Sequence, residues 1–127
     1  MHLNDPREFL TRVFRAGIAA ADSRLVTRQA VEALDDLAPS VWVIGVGKAA
    51  HAMATGAVEA IRARRISLAG GLVVAHEHSP SATHGLPYIQ GNHPVPGVGS
   101  QLAADNLQNL APETTADSDA IVLVSGG

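Results

Sequence analysis

Three stretches of this sequence are apolar along their whole length and end in turn residues: Val41-Trp42-Val43-Ile44, Gly71-Leu72-Val73-Val74-Ala75 and Ala120-Ile121-Val122-Leu123-Val124. A fourth, Pro87-Tyr88-Ile89-Gln90, is shorter. A strand with one face in water alternates apolar and polar residues. One that does not alternate has to be covered on both faces, as the strands of a parallel sheet are. Helical patterns separate these runs, so the chain reads as an α/β, Rossmann-like, mostly parallel sheet with helices on both faces.

The helices carry their own start signals. In Asp5-Pro6-Arg7-Glu8, Asp5 can cap, Pro6 suits the first helical position and Glu8 has the capping-box spacing. Phe9, Leu10, Val13, Phe14, Gly17, Ile18 and Ala21 then recur at helical period. A second pattern runs through Val26, Ala30, Val31, Leu34 and Leu37 to the break at Pro39-Ser40. Together they predict a helical hairpin before the first strand. Further helices are expected over 48–63 and 99–111. The chain ends on Ser125-Gly126-Gly127, a turn of the kind that leads into another helix, so residues 1–127 are expected to be one truncated N-terminal Rossmann-like domain.

Composition narrows the function classes. Without cysteine there are no thiolate nucleophiles, disulfides or Cys-held zinc. The apolar run around Val41 to Val46 is far short of the roughly 20 residues a bilayer span requires. Charges and a proline fill Met1 to Phe9, where a secretory signal would be apolar, which leaves the cytoplasm as the default address. All nine Lys and Arg residues lie within 1–65, and after Arg65 every charged residue is acidic. With Trp42 joined only by Phe9, Phe14 and Tyr88, there is no basic, aromatic face for nucleic acid. An anionic ligand held beyond residue 65 must be met by backbone N–H groups, histidines or a cation from elsewhere.

Gly45-Val46-Gly47-Lys48-Ala49-Ala50 has the G-x-G-x-x-A form between a buried strand and a helix start. Such a turn either lets the backbone approach an anion or simply joins strand to helix tightly. Lys48 favours the first reading, because a cation opposes the dipole at a helix N-terminus unless an anion lies close. His76-Glu77-His78 follows the second strand, with His84 and His93 beyond it. No third ligand stands at a recognisable metal spacing, so no metal site is assigned and these are read as polar loop residues. Glu77 is also where a dinucleotide-binding unit would recognise ribose. In Gly91-Asn92-His93-Pro94-Val95-Pro96-Gly97 two prolines stiffen a loop bounded by glycines.

The ordered series VIGVGKAA (Val43 to Ala50), GLVVAHEH (Gly71 to His78), GNHPVPG (Gly91 to Gly97) and IVLVSGG (Ile121 to Gly127) resembles the N-terminal part of the MOFRL-type glycerate kinases. Members of that family are often labelled hydroxypyruvate reductase. The resemblance extends over nearly the whole chain and departs at Gly97, where the family commonly has an acidic residue.

The resemblance implies transfer of a phosphoryl group from ATP, with Mg2+, to the 2-hydroxyl of D-glycerate. It implies Lys48 as the catalytic cation, Gly45, Gly47, Ser125, Gly126 and Gly127 against the nucleotide, and His93 and Pro94 against the substrate. The expected partners are these small molecules, with neither nucleic acid nor membrane, and a homo-oligomer is compatible with the sequence. The alternatives are an NAD(P)-dependent hydroxypyruvate reductase, on the strength of G-x-G-x-x-A and Glu77, and an α/β domain without catalysis.

Overall fold

The non-alternating runs pair as their composition requires. In the computed structural model, which describes residues 5–76 and 84–126, β1 (Ser40–Val46), β2 (Ser67–Ala75), β3 (Tyr88–Gln90) and β4 (Ser118–Val124) form one parallel sheet in the order β3-β2-β1-β4. β1 is central. It pairs with β4 without interruption from Ser40↔Ser118 to Val46↔Val124, and with β2 through one register shift between Val41 and Trp42. Gly70 and Gly71 follow that shift. A Cβ on Gly71, whose φ is +153°, would stand 1.8 Å from the Val43 carbonyl oxygen. The glycine pair therefore lets β2 lie against β1.

Among the described residues there are four α-helices, α1 (Pro6–Ala20), α2 (Ser23–Glu32), α3 (Ala50–Ala63) and α4 (Val98–Leu110), of which α3 and α4 pack on the sheet. α3 is alanine-rich, and Ala50, Ala54, Ala57, Val58 and Ile61 are buried with Val41, Val43, Val73, Ala75 and Leu123. Small side chains allow a close helix-to-sheet approach. α2 packs on α3 just as closely, with Thr27 and Val31 buried. Arg64 Nη1 donates to the Val31 and Leu34 carbonyls at 2.9 and 2.7 Å, satisfying the C-terminal end of α2. Arg24 bridges to Glu59 with both guanidinium and carboxylate engaged. This bond holds the Glu59 carboxyl below its ordinary range and raises the Arg24 guanidinium.

The first two helices form where expected, with Asp5 accepting from Arg7 N at 2.9 Å and Asp22 from Leu25 N at 2.8 Å. Their packing is unequal: among the described residues α1 has no buried residue and does not pack along α2, so the two helices do not close into the expected hairpin, whereas α2 packs on α3. α2 ends at Glu32, short of Leu37, and Asp36 turns the chain with a φ of 52°. β2 begins at Ser67, four residues before the apolar run that announces it. α4 packs against β3 and β2. Among the described residues nothing covers the same face of β4, where Val122 and Val124 are 59% and 71% exposed. No helix among the described residues is long and apolar enough to cross a membrane.

Gly56 tests the α2–α3 contact. A Cβ there would lie 2.1 Å from the Arg24 carbonyl oxygen, and the backbone cannot swing aside. Alanine is favoured over glycine by about 1 kcal/mol inside a helix, but overpacking costs about 1–3 kcal/mol. Gly56→Ala is expected to lower the urea midpoint. The Arg24–Glu59 bond has a pH signature. With the folded carboxyl depressed, its stabilisation is present above the unfolded value and is lost as pH falls through the folded one. Glu59→Gln should lower the urea midpoint at neutral pH and match the parent chain in acid.

Candidate active site

At the carboxyl end of the sheet the chain order reverses: β1 leads through α3 to β2 on one side, and β4 returns to the other. In open α/β sheets, ligands bind beside such a switch point. The Gly45–Ala50 turn lies there, stitched from both directions. Gly47 N donates to the Val74 carbonyl at 3.0 Å, and Ser125 N donates to the Val46 carbonyl at 3.0 Å. Ala49, the N-cap of α3, has no side-chain cap of its own, and its N–H donates to Ser125 Oγ at 2.9 Å.

These contacts account for both glycines. A Cβ on Gly47, whose φ is +117°, would stand 2.2 Å from the Ser125 carbonyl oxygen and 2.5 Å from its Oγ. A Cβ on Gly45 would meet the Ala50 carbonyl oxygen at 3.2 Å. Close approach of chain to chain thus requires small residues here, and Ser125 fills the β4 side of the turn. Gly126 has no heavy atom within 4 Å of where its Cβ would be. Gly127 lies outside the described residues.

On the other side of the turn is a cavity of about 300 Å3. Val46 and Val74 from the sheet and Ala103, Ala104 and Leu107 from α4 supply its apolar wall. Lys48, His76, Asn92, His93 and Ser100 contribute polar groups. Lys48, an exposed residue, heads α3, and His76 directly follows β2. The His76 and His93 rings are 5.3 Å apart between centroids and tilted by 53°. The fold has therefore brought together the cation and two histidines that are 45 residues apart between the outermost, Lys48 and His93.

Not every residue singled out in the sequence joins them. Pro94 is exposed and is not among the cavity-lining residues. His84 bonds to Arg62 through its ring and its carbonyl, both at 3.2 Å, and also stands outside the cavity. Glu77 and His78 lie outside the described residues. Among the described residues no three His, Cys, Asp or Glu side chains gather to hold a metal. Sequence reasoning missed Asn92, Ser100 and the α4 wall. The close pairs Gly97/Gly99 and Ala103/Ala104 were the available signals, since each leaves room for something to approach. A Cβ on Gly97 would meet Asn92 Oδ1 at 2.8 Å, and one on Gly99 would meet the Gln90 carbonyl oxygen at 2.2 Å.

The domain family described as "Domain of unknown function (DUF4147)" matches residues 9–127. A crystal structure of the PH0495 protein from Pyrococcus horikoshii OT3 is similar, with a TM-score of 0.76 and 26% sequence identity. The likeness takes in the whole of this chain but 30% of that one, so the chain spans less than a third of its structural neighbour. No functionally curated protein matches the chain.

Ser125→Ala removes the acceptor from the amide of Ala49, the N-cap residue of α3. The expected loss is about 1 kcal/mol, that of a helix cap. Hydrogen exchange at the Ala49 amide should quicken more than exchange along β1, which distinguishes opening of the turn from general loosening.

Proposed function

The chain belongs to the DUF4147 family, and on that premise we propose that it is the N-terminal domain of an ATP-dependent, cytoplasmic glycerate kinase that phosphorylates the 2-hydroxyl of D-glycerate. The observation that carries this reading is the convergence of Lys48, His76 and His93 on one cavity at the carboxyl ends of parallel strands. The ordered motifs that resemble the MOFRL-type kinases support it. Phosphoryl transfer asks little covalent work of a protein: it needs positioning and charge around the transferred group.

In this reading the 2-hydroxyl oxygen bonds to the γ-phosphorus as the bond from phosphorus to the bridging oxygen breaks, ADP leaves, and the hydroxyl proton is released to solvent. The Lys48 ammonium offsets charge on the phosphoryl oxygens. His93 donates a hydrogen bond to a substrate oxygen. The described residues do not build a cage for Mg2+, which in such reactions is held largely by phosphates and water. The reductase alternative is less well supported, because Ser125 Oγ already takes the Ala49 amide of the G-x-G-x-x-A turn, on which a dinucleotide pyrophosphate would bind.

Lys48→Ala should leave folding nearly intact, since loss of a cation from a helix N-terminus costs little. In the protein at its natural length it should lower glycerate-dependent ADP formation on the order of 100-fold, the loss expected for a preorganised charge. Initial rates paired with thermal unfolding test this. Near-normal turnover, or loss of activity only through unfolding, removes Lys48 from the mechanism. NADH-driven reduction of hydroxypyruvate would replace the kinase reading with the reductase one.

A further inference from the structure

The segment that carries His93 into the cavity has little packing of its own. Residues 92–98 are all exposed, so no buried side chain anchors them. What ties them down is a reciprocal pair of hydrogen bonds across the loop. Asn92 Oδ1 accepts from Gly99 N at 2.9 Å and from Ser100 N at 3.3 Å. Ser100 Oγ accepts from Asn92 N at 3.0 Å. Gly97, the N-cap of α4, has no side chain with which to cap, and Asn92 satisfies the helix from five residues upstream. The arrangement has the logic of a capping box, in which side chain and backbone at each end satisfy the other, but here it closes a loop.

We infer that Asn92 is a positioning residue: its clamp on the first turn of α4 fixes His93 beside His76 over the cavity. The inference rests on the proposed function for the claim that His93 meets substrate. Three further observations support it. Pro94 and Pro96 restrict the loop between the clamped ends, so fixing those ends limits where His93 can go. A Cβ on Gly97 or Gly99 would stand 2.8 or 3.1 Å from Asn92 Oδ1, so the two glycines provide the space in which the amide makes its bonds. Finally, His93 is the residue next to the clamp, so movement of Asn92 is transmitted through a single peptide link.

The test joins a spectroscopic and a kinetic readout. In the chain itself, nuclear Overhauser contacts between the His76 and His93 rings report their juxtaposition. Asn92→Ala should abolish them, and Asn92→Asp, which accepts the same two N–H bonds, should restore them. Gly97→Ala is a second route to the same loss, because it displaces the Asn92 amide and deletes no hydrogen-bonding group. In the protein at its natural length, Asn92→Ala should raise the KM for D-glycerate by about tenfold, the scale of one lost hydrogen bond, and Asn92→Asp should reverse it. In a His93→Ala background, Asn92→Ala should add nothing. Ring contacts that survive Asn92→Ala overturn the inference, as does an additive loss in the double variant. If the contacts depend on Asn92 but no version turns over glycerate, the kinase reading fails and the clamp stands.

Discussion

The crowding of three chain segments at the end of β1 is the constraint on which the rest of this structure depends. Val46 and Gly47 are bonded to β2 on one side and to Ser125 on the other, and α3 starts three residues after Gly47, at Ala50. There is no space at that junction for a side chain on Gly47. Because β1 is central and pairs with β4 along seven residues, this junction sets where the tops of both flanking strands lie. The direction of α3, and with it the position of Lys48, follows from the junction.

Two helix starts face the carboxyl end of the sheet, and the protein treats them alike. The amide of Ala49, just before α3, is met by Ser125, and the Gly99 and Ser100 amides of α4 are met by Asn92. In both cases the cap comes from a distant or looped segment instead of the residue at the N-cap position, which is Ala49 in one helix and Gly97 in the other. Capping here doubles as tertiary attachment: each bond that satisfies a helix end also ties down a strand end or a loop. Beside those engaged amides, the cavity offers the side chains of Lys48, His76 and His93 for recognition of an anion. The apolar wall beside them lowers local polarity, which strengthens any charge interaction made there.

Much of this was legible along the chain. Unbroken apolar runs announced a parallel sheet because a strand covered on both faces has no reason to alternate. Asp5 reported a helix start through a local hydrogen bond, and α3 announced itself through its period. Less legible were features whose cause lies far away in sequence. β2 extends back to Ser67 because β1 offers Ser40 and Val41 as partners, although Ser67 to Gly70 has no strand-like composition. α1 reads as firmly amphipathic as any helix in the chain, yet none of its residues is buried. Its period specifies a helix and a face, and periodicity carries no information about what that face meets.

The same division holds at the site. Sequence alone determined the kinds of residue available: one lysine at a glycine turn, histidines after β2 and β3, and a proline-stiffened loop, with no cysteine and few aromatic groups. These are local properties of backbone freedom, charge and hydrogen-bonding capacity. Tertiary structure alone decided that Lys48, His76 and His93 share one cavity, that His84 turns to Arg62, and that in the G-x-G turn Gly47 makes room for Ser125 after β4 and Gly45 for the start of α3. Those outcomes depend on strand order and close packing, where the approach of one segment fixes the space left to another, and a one-dimensional pattern does not contain distances between segments.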